Sequence, residues 1–172
     1  MKNILKSHYK VISEIESEVI DGLYLLMDKD TKTEYILKEI LQKTTSLEDE
    51  IILREFGELV ERGATIDDTI ETPIIVDFFI EEGHKYLVLE ACEDNGTVSW
   101  LEAFPSLGYI FRDSYVVVHG ISTGGFGVVY QVRDAHIPGK YWALKEMYDD
   151  SDRPKVIEKS FRQEAEILAG LE

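Results

Sequence analysis

The chain sets out the same order of elements twice. Tyr9-Lys10-Val11-Ile12 is answered by Tyr115-Val116-Val117-Val118, Gly22-Leu23-Tyr24 by Val128-Val129-Tyr130, and Asp28 by Asp134, all at an offset of 106 residues. After a slip of one residue in the next turn, Tyr35-Ile36-Leu37-Lys38-Glu39-Ile40 is answered by Trp142-Ala143-Leu144-Lys145-Glu146-Met147. A chance match over one strand is cheap, but a match held in order over several elements is not. The repeat therefore predicts one strand–strand–strand–helix plan used in tandem.

Apolar runs rich in Val, Ile, Leu and Tyr, bounded by turn residues, predict strands over 9–15, 22–28, 34–40, 74–81 and 84–90, then 115–121, 128–134 and 140–147. Glu81-Glu82-Gly83-His84 reads as a hairpin loop. Helices are expected over 46–62 and 154–171. The second opens with Asp152-Arg153-Pro154 and carries Ile157, Phe161, Ala165 and Leu168 at helical spacing. A shorter helix is expected over 98–104, and Pro105-Ser106-Leu107-Gly108 reads as a linker. The expected fold class is α+β, with two tandem units, 1–106 and 107–172. Each is an antiparallel sheet with one main helix, the second truncated.

Charge divides unevenly between the halves. Residues 1–106 hold 10 Lys and Arg against 24 Asp and Glu, and residues 107–172 hold 8 against 10. Nonspecific nucleic-acid binding needs a basic footprint, so no nucleic-acid partner is expected. No stretch approaches the roughly 20 apolar residues of a membrane span, and the basic start has no long apolar run after it, so the expected location is cytoplasmic and no membrane partner is expected. A lone cysteine, Cys92, excludes an intramolecular disulfide and a Cys-rich metal site. His8, His84, His119 and His136 lack metal-ligand spacing, and Asp149-Asp150-Ser151-Asp152 reads as an exposed connection, so no metal site is expected.

The chemistry concentrates in the second half. Ser122-Thr123-Gly124-Gly125-Phe126-Gly127-Val128-Val129-Tyr130 is a glycine turn between two β-branched runs. Glycines let consecutive N–H groups approach a phosphate with no Cβ between. A dinucleotide fingerprint needs a helix directly after the glycines, and here a strand follows; a Walker P-loop needs a Gly-Lys-Ser/Thr that is missing. Lys145 stands in an apolar run, where an ammonium without a partner is costly. Glu164 falls within the apolar face of the expected helix, and the two suggest an ion pair.

In this order and spacing the second half resembles the N-terminal lobe of Hanks-type serine/threonine protein kinases, particularly bacterial ones. The resemblance implies ATP as ligand. Its phosphates would lie under the loop formed by Ile121, Ser122, Thr123, Gly124, Gly125, Phe126 and Gly127, with Lys145 on the α/β-phosphates and Glu164 orienting that lysine. Val129 and Ala143 would contact the adenine. Ser122 departs from the family, which has glycine there. Magnesium would accompany ATP, but the chain holds no His-Arg-Asp or Asp-Phe-Gly segment to bind it or to transfer phosphate. The expected role is therefore ATP binding without catalysis by this chain alone.

The first half resembles a degenerate, pseudokinase-like copy of the same lobe. Lys38 matches the strand lysine, with Glu55 its best candidate partner. At the offset of 106, Glu16, Glu18 and Asp21 replace Ser122, Gly124 and Gly127 and would repel phosphate, or else line a solvated hairpin. The alternative implied by this copy is a noncatalytic regulatory module. Its partners would be a kinase C-lobe, another signalling protein or a second copy of itself.

Overall fold

The computed structural model describes residues 3–62, 73–147 and 170–171. The chain is α+β and divides into two compact units. One comprises Met1–Lys43 and Phe56–Glu102, the other Thr44–Glu55 and Ala103–Glu172. No described helix is long and apolar enough to cross a membrane.

The first unit is built on strands β1 (Ile4–Leu5), β2 (Tyr9–Ile15), β3 (Leu23–Asp28), β4 (Glu34–Ile40), β5 (Ile75–Glu81) and β6 (His84–Glu90). They pair antiparallel in the order β1-β2-β3-β4-β6-β5. Glu82 and Gly83, at φ 51° and 81°, make the tight turn between β5 and β6 that the right-handed strand twist favours. The sheet curls until β2 and β5 meet. The Tyr9 hydroxyl donates to Asp77 Oδ2 at 3.0 Å, and its ring stacks on Phe79 at 6.0 Å. Leu5, Leu26, Leu37, Tyr86 and Val88 fill the concave side.

Helix α1 (Ser46–Arg62) follows β4, and α2 (Gly96–Ala103) follows β6. A capping box starts α1: Thr45 N–H donates to Glu48 Oε1 at 2.8 Å, and Glu48 N–H donates to Thr45 Oγ1 at 3.2 Å. Ile51, Ile52, Glu55, Phe56 and Leu59 form its buried stripe. The boundary between the units falls inside this helix, between Glu55 and Phe56. On the first-unit side Phe56 stacks on Phe78 at 4.9 Å.

The second unit carries β7 (Ile110–Phe111), β8 (Tyr115–Thr123), β9 (Gly127–Asp134), β10 (Tyr141–Met147) and β11 (Gly170–Leu171), in the order β11-β10-β9-β8-β7. Its pairing follows the sequence repeat through the first part of the sheet. Ile4 and Leu5 face Lys10 and Tyr9 as Ile110 and Phe111 face Val116 and Tyr115. Val11 N–H reaches Asn3 O as Val117 N–H reaches Tyr109 O. Asp28 Oδ1 accepts the N–H groups of Asp30 and Thr31, and Asp134 Oδ1 those of His136 and Ile137. Both second-position strands also bulge at the same point, between Val11 and Ser13 and between Val117 and His119.

Some expectations need correction. Residues 105–108 are not a free linker. Ser106 and Leu107 are buried, Ser106 N–H donates to the Tyr130 hydroxyl at 3.1 Å, and Ser106 Oγ donates to Glu146 Oε2 at 3.0 Å. Glu146 is itself buried, so its carboxylate needs such donors. The expected helix over 154–171 lies outside the described residues except at its end, where Gly170 and Leu171 pair as a strand with Trp142 and Tyr141. The shorter helix starts at Gly96, two residues before its expected position, and ends at Ala103.

Candidate functional site

Strand register decides which side chains share a face, because residues opposite one another in an antiparallel pair project to the same side. Ser122 faces Val129 across β8 and β9, and Val129 faces Lys145 across β9 and β10. The three form one row. Ala143 follows on the same side, opposite Gln131. The register thus brings together four of the expected nucleotide-contacting residues. Glu164 lies outside the described residues.

The opposite side of this sheet belongs to the core. Tyr130 and Leu144 are buried there, and the Phe104 ring lies edge-on to Tyr130 at 6.0 Å. That ring also explains Gly120, where any Cβ would run into it. On the site side, Val129 and Lys145 are half-buried and residues 121–126 are exposed. Lys145 has no ion-pair or hydrogen-bond partner among the described residues.

The glycine turn closes through a bond from Gly124 N–H to Gly127 O at 3.0 Å. Its glycines have different reasons to be glycine. Gly127 is required by packing, since a Cβ there would strike the carbonyl oxygen of Glu146. Gly124 and Gly125 meet nothing: a Cβ at either has open space around it, and neither has a positive φ. Among the described residues no contact accounts for their lack of a side chain. Phe126, at the tip, is 81% exposed, and Ile121 is exposed beside the loop.

Ile121 is also where the two copies part. Beyond the shared bulge, β8 carries a second irregularity between Gly120 and Ser122 that β2 lacks. Ser122 faces Val129, whereas the residue facing Leu23, the counterpart of Val129, is Ile15. The match of Ser122 to Glu16 at the offset of 106 is thereby corrected to Ile15. The first-unit row is Ile15, Leu23 and Lys38. Lys38 is buried, and Glu16, Glu18 and Asp21 are all exposed, in keeping with a solvated loop. Ser17 organises that loop: its Oγ accepts from Val19 and Ile20 N–H and donates to Glu102 Oε2 at 2.7 Å.

Arg133 went unread in the sequence. It lies on the Lys145 side, opposite Tyr141, and is 1% exposed. Its Nε donates to Glu55 Oε2 at 2.8 Å and its Nη1 to the Tyr141 hydroxyl at 2.9 Å. Glu55, expected as the partner of Lys38, is instead engaged by Arg133 and by Arg54 at 3.3 Å. Arg54 also donates to Ala135 O at 3.0 Å. The alternation of β9 places Arg133 on the face of Val129, but a partner 78 residues away leaves no periodic trace. No family model and no curated protein matches the chain.

Proposed function

We propose that the second unit is the ATP-gripping part of a protein-kinase-like N-terminal lobe, with residues 121–127 over the phosphates and Lys145 holding them. Val129 and Ala143 face the adenine, and the partner of the lysine would be Glu164, outside the described residues. The observation that carries this reading is the row Ser122–Val129–Lys145, with Ala143 on the same side. It sets a half-buried ammonium and a small apolar floor beside a turn in which Gly124 and Gly125 have open space. That combination suits a ligand with an apolar ring at one end and phosphates at the other. The antiparallel order β2-β3-β4-β6-β5, with α1 between β4 and β5, supports kinase-like ancestry for the first unit as well.

The first unit we read as the noncatalytic, pseudokinase-type copy. A buried Lys38 and an exposed acidic loop favour that reading, because phosphate would meet Glu16 and Glu18 where the second unit offers glycine. A kinase C-lobe, another signalling protein or a second copy of the chain are the partners such a module would serve. Thermal unfolding with and without Mg-ATP tests the proposal. At a ligand concentration 100 times Kd, binding adds about 2.7 kcal/mol of stability. Lys145→Met is expected to abolish that gain, and Lys38→Met to leave it. A chain that Mg-ATP does not stabilise, or a gain that survives Lys145→Met, would overturn it.

A further inference from the structure

Successive residues of a strand project to opposite sides, so the step from Lys145 to Glu146 passes from the proposed nucleotide face to the core. Lys145 is half-buried, whereas Glu146 is 1% exposed. A carboxylate is costly on a side where the same strand otherwise packs Leu144. Ser106, also 1% exposed, holds it there: its Oγ donates to the carboxylate and lies 3.2 Å from Oε1 and 3.0 Å from Oε2. Ser106 is held in turn, through its N–H, by the Tyr130 hydroxyl at 3.1 Å. Tyr130 follows Val129 on β9, so one buried seryl residue ties the two strands that carry the row.

The backbone of Glu146 meets the glycine turn. Its carbonyl oxygen is the atom that a Cβ at Gly127 would strike, and Gly127 O accepts the Gly124 N–H that closes the turn. The third strand is engaged by the same segment. The Phe104 ring, edge-on to Tyr130, fills the place that a side chain at Gly120 would need. An apolar residue at 146 would pack at less cost, but a directional hydrogen bond fixes a position that apolar packing leaves free to slide. The first copy differs here as well. Its counterpart of Glu146 is Glu39, 14% exposed, with Oε1 2.8 Å from the surface ring of His84. The buried form of the glutamate goes with the glycine turn.

We infer that Ser106 and Glu146 are positioning residues of the proposed nucleotide site. Their clasp fixes β10 against β9 from the core side, and so sets the spacing between the Lys145 ammonium and the glycine turn. The inference rests on the nucleotide-gripping reading, and neither residue touches the ligand. Residues 105–108, which lie between the two copies in sequence, thereby become part of the second copy's site. Loss of the clasp lets the strand end shift under Gly127, and phosphates then lose the fit between lysine and turn.

Two readouts on the full chain test this: calorimetric affinity for Mg-ATP, and the amide NMR signals of Gly124, Gly125 and Gly127 without ligand. Ser106→Ala is expected to weaken Mg-ATP about tenfold, which is 1.4 kcal/mol, and to shift the glycine signals. Glu146→Gln keeps an acceptor for the Ser106 hydroxyl and is expected to change affinity less than about threefold. Tyr141→Phe removes a hydrogen bond from the other end of β10 and controls for destabilisation alone. It is expected to leave the glycine signals in place and affinity within about twofold. If Ser106→Ala fails to fold, Ser106→Cys, a weaker donor of similar size, carries both readouts. Glycine signals that stay put in the Ser106 variant, or move equally in Tyr141→Phe, would overturn the clasp. So would an unchanged affinity in a chain that binds Mg-ATP. A wild-type chain that does not bind, with glycine signals still moved by the Ser106 variant, would defeat the nucleotide reading and support the clasp.

Discussion

The two glycine-bearing hairpins, 15–23 and 122–129, sit on the same strands, at the same bulge and above the same kind of lysine, yet they present opposite surfaces. In the first, Ser17 ties a longer loop to its own backbone, Ile20 is buried, Lys38 is buried and the exposed side chains are acidic. In the second, a tight turn leaves Gly124 and Gly125 facing open space and Lys145 half-buried. The strands alone therefore do not decide which surface a hairpin presents. What differs is one added bulge residue, Ile121, and the choice of side chains in the turn.

The comparison can be broken most forcefully at Arg133. Glu55→Gln takes the charge from a buried pair and leaves the guanidinium in a low-dielectric setting, a loss expected at about 3–5 kcal/mol in the second unit. Denaturant unfolding measures it, and the matching change in the first loop, Glu18→Gln, is expected to have little effect. Gly127→Ala comes next. Its Cβ meets the Glu146 carbonyl, so a cost of about 1–3 kcal/mol is expected, while Gly125→Ala leaves stability nearly unchanged. In the proposed site Gly125→Asp then sharpens the contrast, by lowering the Mg-ATP stabilisation without lowering the stability of the free chain.

Smaller effects follow from pH. The Tyr86 hydroxyl rises from its ordinary 10 to about 12 through burial and then the nearby Glu39 carboxylate. A proton held more tightly in the folded state contributes stability that is complete below pH 10 and lost as pH climbs toward 12. Tyr86→Phe is expected to flatten that alkaline decline, read from denaturant midpoints across the window. The smallest effect concerns exposed Asp113, whose pKa is raised by a hydrogen bond with the half-buried Glu48 carboxylate and then by its charge. The folded state then favours the protonated acid, so the second unit gains stability as pH falls into the carboxylate range. Asp113→Asn is expected to remove that gain.

Much of this scaffold was legible in the sequence because its signals are local. Residues 34–40 alternate and punctuate as a strand should, and 46–62 carries a capping box and an apolar stripe, so both emerge with their expected bounds. β1 and β7 escaped notice because two residues cannot show an alternation, although the repeat in fact reaches back to include them. Ser106 and Leu107 looked like a linker since proline and glycine flank them, and only the Tyr130 hydroxyl and Glu146 carboxylate reveal a buried turn. In the candidate site, the residue types of the glycine turn and of Lys145 were readable, but their alignment in one row depends on Ile121. A bulge residue there has no compositional mark.

Helix α1 has a consequence for how this gene could change. Its first ten residues belong to one unit and the rest to the other. Deleting the first copy would strip the second of Glu55, the carboxylate to which Arg133 Nε donates. Losing the second copy would leave the helix with a severed seat. Duplicates are normally free to be discarded, but here one helix carries residues of both units, so a cut between the copies passes through a secondary-structure element.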